Sequence, residues 1–205
     1  MILYNYSDGR EKSMNIKILT DGKYGENSYI IYDENGVCAL IDPVSSEVFD
    51  FIKENALVPG AVLLTHGHFD HISGLESVLA SYSVPLYIHA KDAEMLSDPE
   101  KNASMLFEMR PTVCTAKPET VTDGEKINIG NMEFKTVHTP GHTSGSVCYF
   151  CEDAVFSGDT VFADGYGRTD LYGASEEELR DSVVKLSGML AGKTIYPGHG
   201  KTRKF

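Results

Sequence analysis

The sequence predicts an α/β protein, and its element order is compatible with two packed sheets covered by helices on the outside, although periodicity alone stops at α/β. Three observations carry this. Strand-like runs come in two groups, and helices with an apolar period near 3.6 follow the strands of each group. Short Gly, Asn and Asp turns punctuate the runs and bring neighbouring strands together. Ligand-type side chains recur at strand ends, where a rigid scaffold places its functional loops.

Residues 1–13 are polar, and Met14-Asn15-Ile16-Lys17-Ile18-Leu19 reads as a fresh start with strand character. Residues 1–13 are therefore an N-terminal extension or an extra edge strand through Ile2, Tyr4 and Tyr6, and 14–205 a single domain. Strands are expected at 16–20, 28–32 and 37–41, the last two joined by a Glu34-Asn35-Gly36 turn. Ser45 to Asn55 reads as a helix with Val48, Phe49 and Ile52 on one face. A strand at 61–65 delivers a His-rich loop; a helix from Ile72 to Ser81 and a strand at 84–88 follow. Residues 90–109 alternate apolar and charged side chains and read as helical, interrupted at Asp98-Pro99. Strands return at 126–129 and 132–137 around a Gly130-Asn131 turn, then at 146–150 and 154–157. Ser175-Glu176-Glu177-Glu178 is a capping box, which satisfies orphan N–H groups, and it opens a helix to about Leu186. A last strand, 194–196, ends in Pro197-Gly198-His199-Gly200.

A content of 41% hydrophobic and 23% charged residues suits a globular chain with a substantial core. No apolar run is long enough to span a bilayer, and residues 1–13 lack the basic-then-apolar pattern of a signal peptide. A cytoplasmic protein with no membrane partner is expected. The net charge of −12 opposes nucleic acid, so no such partner is expected either. Lys201, Arg203 and Lys204 are read as a frayed, charged tail. Cys38, Cys114, Cys148 and Cys151 are read as buried reduced thiols. Cys148 and Cys151 lie three apart on a strand-like run and face opposite ways, and no second Cys-x-x-Cys completes a zinc site.

The chemistry concentrates in Thr65-His66-Gly67-His68-Phe69-Asp70-His71, directly after the apolar run 61–64. Imidazole is the commonest metal ligand, and Asp offers oxygen to the same ion. Packing gives no reason to crowd imidazoles at a strand end. Further candidates follow later strands: His142 in Thr139-Pro140-Gly141-His142-Thr143, Asp159 in Ser157-Gly158-Asp159-Thr160, and His199 in Pro197-Gly198-His199-Gly200. His66, His68, Asp70, His71, His142, Asp159 and His199 make five imidazoles and two carboxylates. A catalytic zinc takes three protein ligands and keeps a position open. Seven ligands therefore suit two ions sharing a carboxylate, about 3.5–4 Å apart.

These motifs, with Gly167-Arg168-Thr169-Asp170-Leu171, resemble the metallo-β-lactamase superfamily, and most closely its glyoxalase II-like branch. The resemblance runs from Met14 to the end of the chain. It implies a four-layer αβ/βα sandwich of two mixed β-sheets with helices on the outer faces. It also implies two divalent metal ions, zinc with iron or manganese as alternatives. By position, His66, His68 and His142 would bind one ion and Asp70, His71 and His199 the other, with Asp159 bridging. Asp42 in Ile41-Asp42-Pro43 would brace the His loop, since a ligand His needs its other nitrogen held. His89 and His138 match no ligand and are read as structural. Arg168 is read as an ion-pair partner of Asp170, with contact to a substrate carboxylate as the alternative. Tyr172, at a position often occupied by proline in the branch, is named with Arg168 as a substrate contact.

The implied activity is hydrolysis of small acyl thioesters by a metal-bridging hydroxide, with Asp70 able to accept its proton. Longer relatives carry a downstream segment that holds glutathione. This chain ends six residues after His199, so weak discrimination for the glutathione moiety is expected. One rival is a persulfide dioxygenase using a single iron on His66, His142 and Asp159. Lactonase, phosphodiesterase and nuclease chemistry, and a non-enzymatic metal-binding module, are further alternatives. A β-lactamase is disfavoured because Asp159 stands where many zinc β-lactamases have Cys.

Overall fold

The computed structural model describes residues 14–20 and 23–205. The reading of 1–13 as an extension or edge strand lies outside the described residues.

One sheet takes its strands in sequence order: β1 (Asn15–Thr20), β2 (Asn27–Tyr32), β3 (Val37–Ile41), β4 (Val58–Leu63), β5 (Leu86–His89) and β6 (Glu119–Val121). Its first three strands pair antiparallel and the rest parallel. The second sheet contains β7 (Lys126–Ile129), β8 (Met132–His138), β9 (Val147–Cys151), β10 (Ala154–Gly158), β13 (Thr194–Pro197) and β14 (Arg203–Lys204). Its parallel pair is β10–β13. A small hairpin, β11 (Val161–Phe162) and β12 (Gly165–Tyr166), stands apart.

Strand alternation sorts the apolar residues into layers. In β2 and β3, Ile31 faces Ala39 toward the second sheet, while their neighbours Ile30 and Leu40 point outward. The inner set packs with Phe134, Tyr149, Phe156 and Tyr196 of the second sheet. The outer set packs with Val48 and Ile52 of α1 (Glu47–Glu54) and with Leu75 and Val78 of α3 (Leu75–Ser81). On the far side, Cys148, Val155 and Ile195 pack with Leu186 of α5 (Glu176–Ser187). The result is the expected four-layer sandwich. Each fully buried side chain such as Ile30 or Leu40 contributes about 1.5–3 kcal/mol. Cys148 faces α5 and Cys151 the inter-sheet core, and all four cysteines are buried and unbridged. Among the described residues, no helix is long and apolar enough to cross a membrane.

Several elements differ from expectation. The strand expected at 61–65 starts at Val58, because the register shift between Cys38 and Ala39 lets Pro59 and Gly60 into the strand as an irregularity. The helix expected from Ile72 splits into α2 (Phe69–Ile72) and α3. Gly74 lies between them, so close to the carbonyls of Pro43 and Val44 that a Cβ would stand 2.6 Å away. Residues 90–109 form only a 3₁₀ turn, Ala93–Leu96, and the four-residue α4 (Ser104–Phe107). There the Asn102 side chain donates to the carbonyls of Met95 and Thr112, and Ser104 Oγ to that of Pro99, which competes with helix. The basic tail is not frayed: β14 pairs with β13, and Arg203 donates to the Ala163 carbonyl.

Candidate metal centre

The sandwich brings all seven expected ligands to one edge. His66 and His68 leave β4 in a loop, while Asp70 and His71 lie on α2 rather than in that loop. His142 comes from the β8–β9 loop, Asp159 directly follows β10, and His199 follows β13. The donor atoms of His66, His68 and His142 lie within 4.8 Å of one another, as do those of Asp70, His71 and His199. Asp159 stands between the triads. Its Oδ1 is 3.5 Å from His71 Nε2, and its Oδ2 is 3.5 Å from His142 Nε2 and 3.6 Å from His199 Nε2. One carboxylate thus addresses both groups.

Buried polar partners aim these rings. Asp42 accepts from Thr65 N (2.8 Å), Thr65 Oγ1 (2.6 Å) and His71 Nδ1 (2.9 Å). Asp42, His66 and His71 also have donor atoms within 4.8 Å. Both Asp42 oxygens are already occupied, however, so it acts as a brace. Its φ of 46° places a non-glycine residue in the left-handed region, a strain typical of functional sites. The Arg168 carbonyl only accepts, so His142 Nδ1, 2.9 Å away, carries the proton and leaves Nε2 with its lone pair.

Sequence reading missed Asp92. This fully buried carboxylate accepts from Gly67 N (3.1 Å), Thr143 Oγ1 (2.6 Å) and Gly145 N (2.7 Å). It ties the loop of His66 and His68 to the loop of His142. In sequence it is one Asp at a helical turn, and nothing local distinguishes it. Glycine is required where backbone crowds Asp159: a Cβ at Gly198 would lie 2.1 Å from Asp159 Oδ1, and one at Gly167 2.0 Å from the Asp159 carbonyl. The His199 loop is sewn to β2. Asn27 N donates to the Gly198 carbonyl (2.7 Å), and Asn27 Nδ2 to those of Pro197 (3.0 Å) and Gly200 (2.9 Å).

The sequence profile described as the metallo-β-lactamase superfamily matches residues 21–199. The chain belongs to this superfamily. It is 38% identical over 186 residues to the probable metallo-hydrolase YqgX of Bacillus subtilis strain 168, covering 87% of each chain. It is 35% identical over 174 residues to a hydroxyacylglutathione hydrolase of Francisella philomiragia, covering 83% of this chain but 61% of that one. The crystal structure of BLEG-1, a B3 metallo-β-lactamase, superposes with a TM-score of 0.87 at 35% identity, covering 92% of this chain and 93% of BLEG-1.

The donor set of this superfamily member fits a divalent metal. His66 Nε2, His68 Nε2, His71 Nε2 and Asp159 Oδ1 are buried without a hydrogen-bond partner, although buried polar atoms are normally satisfied. Burial pushes His66 well below its ordinary pKa and His68 down to about 3, reinforced by the neighbouring imidazoles, so both rings are neutral. Burial raises Asp159, but His71, His142 and His199 hold it below the usual carboxylate range. Asp70 is likewise raised by burial and brought below its ordinary value by His199. His71 is lowered by burial yet raised overall by Asp42 and Asp159, a negative field that a cation would satisfy. Neutral nitrogens with ionised oxygens are the donors a borderline dication takes.

A cleft of about 200 Å³ opens above these groups. Arg168 lines it, forked onto Asp170 at 2.6 and 2.8 Å as the ion-pair reading expects. Tyr172 does not line it; its hydroxyl donates to Glu94 (3.0 Å). His89 and His138 lie outside both triads and stack on each other, centroids 4.1 Å apart.

Proposed function

We propose that this chain is a dinuclear metal-dependent hydrolase of small acyl thioesters, similar in chemistry to the hydroxyacylglutathione hydrolases. The observation that carries the reading is Asp159, whose carboxylate lies within 3.6 Å of imidazoles from both triads, Oδ1 beside His71 and Oδ2 beside His142 and His199. His66, His68 and His142 would hold one ion, Asp70, His71 and His199 the other, and Asp159 both. Zinc suits the mixed nitrogen and oxygen donors, with iron and manganese as alternatives. Divalent ions there would bring the pKa of water to about 7 and polarise a carbonyl.

The chain's own groups do the rest. Ionised Asp70 borders the cleft beside His199 and takes up the proton of the attacking water. Asp42 and the Arg168 carbonyl hold His71 and His142 in their working tautomers and orientations, and Asp92 fixes the loops that carry His66, His68 and His142. No protein nucleophile is required, and a thiolate leaves with little protonation because thiol pKa is about 8.5. The reading places the enzyme in the cytoplasm, where four unbridged thiols stay reduced.

The test is metal analysis of reconstituted protein, paired with thioesters, lactones, a cephalosporin and a glutathione persulfide. Two metal equivalents with thioester turnover support the proposal. One iron equivalent with oxygen uptake would overturn it in favour of the dioxygenase built on His66, His142 and Asp159. Faster opening of the cephalosporin than of any thioester would overturn it in favour of the chemistry named for BLEG-1.

A further inference from the structure

The cleft has one wall made of packed aromatic rings. Phe69 lies between His68 and Asp70 in the chain, so the wall begins at the reacting centre. Tyr24 meets Phe69 edge-on at 5.2 Å, and Phe107 stacks on Phe69 at 5.7 Å and 22°. The Arg168 guanidinium lies 5.4 Å from the Phe107 ring and closes the row. Ala103 and Leu171 complete the apolar lining.

The polar groups along this wall are engaged. Tyr24 Oη donates to Glu108 at 2.7 Å, and Glu108 also pairs with Lys23 and Arg110. This ties the short helix carrying Phe107 to the segment carrying Tyr24 and preorganises the wall. Arg168 is the one lysine or arginine among the described residues lining the cleft, and Asp170 occupies its fork. Asp170 takes the Nε and Nη2 donors and offsets the guanidinium charge, so Arg168 attracts a substrate carboxylate only weakly. A flat, apolar group finds ring faces and edges.

We propose that the cleft selects thioesters with a flat, apolar substituent beside the reacting carbonyl, and that Phe107 sets this preference. The inference rests on the thioester-hydrolase reading and names its substrate class. The substituent can sit on the acyl side or on the sulfur side, and the test separates the two.

One arm compares acetyl, lactoyl, hexanoyl and phenylacetyl thioesters of N-acetylcysteamine; the other compares acetyl thioesters of N-acetylcysteamine and benzyl thiol. Each rate is divided by that of spontaneous hydrolysis. In at least one arm the aromatic member should exceed its small counterpart by about tenfold or more in kcat/KM, the scale of a single well-filled methylene site. Phe107→Ala should shrink that ratio to within about threefold of unity, and Phe107→Tyr, which keeps the ring, should retain it. Calorimetry with the metal-loaded protein supplies a readout independent of turnover: a benzyl thioether should bind more tightly than a methyl thioether, and Phe107→Ala should abolish the difference. Flat selectivity in both arms, or a preference surviving Phe107→Ala, overturns the proposal. If no thioester is turned over, the thioester reading falls, and the thioether comparison alone then decides whether the wall takes aromatic groups.

Discussion

Asp92 shows how much a single buried residue can organise. Its two oxygens hold three donors from two loops that lie more than seventy residues apart in the chain. Asp92→Asn keeps the shape but turns one acceptor into a donor facing donors. At least one N–H or O–H then goes unpaired, at about 1–3 kcal/mol. Urea unfolding of the metal-free variant should show that loss, and chelator competition should show metal binding weakened about 10–100-fold. Asp159 makes a sharper test. Asp159→Ala should leave no more than one metal equivalent and lower thioester turnover by about a hundredfold or more, because both triads lose their shared oxygen donor. His138→Ala should retain both ions, because His138 bonds the Ser144 carbonyl and stacks on His89, away from the triads. Elemental analysis and steady-state rates check both variants.

At the scale of elements, the stacked pair joins the end of β5 to the end of β8 and so couples the two sheets. Burial first, then His138 and Lys91, push His89 down to about 4 from its ordinary 6.5. A histidine depressed in the fold favours the folded state while neutral. That contribution is present above about 6.5 and is lost as pH falls toward 4. The His89 ring should titrate near pH 4 by NMR, and His89→Gln should flatten the fall of Tm between pH 6.5 and 4 relative to the native chain. The elements legible in the sequence were those whose information is local. β2 and β3 alternate around a Gly36 turn, and α5 carries its own cap, with Ser175 Oγ accepting from Glu178 N. The cluster His66 to His71 is legible from residue type alone. The break at Gly74, the two-residue strands and Asp92 depend on partners remote in sequence: Pro43 and Val44 for the glycine, Thr143 and Gly145 for the carboxylate. No local window contains those contacts.

At the scale of the whole molecule, His66, His68, Asp70 and His71 follow a strand of one sheet, and His142, Asp159 and His199 follow strands of the other. Ions bound there would cross-link the sandwich. At free metal about a thousandfold above Kd, each ion adds about 4 kcal/mol, worth roughly 10 °C in Tm for a chain of this size. Scanning calorimetry should show about twice that drop when both ions are chelated and its recovery when excess metal is restored; an unchanged Tm would mean that no ion joins the sheets. The Asn27 stitch to the His199 loop adds a dimension of time. It links residues 170 apart in the chain, so it closes only after synthesis has passed Pro197. At cellular synthesis rates, the donors of α2 precede His199 by on the order of ten seconds. Throughout that interval the nascent chain carries an incomplete ligand set. On the proposed dinuclear reading, full affinity would arrive in one late step, and the surrounding metal pool at that moment would decide which ion is captured.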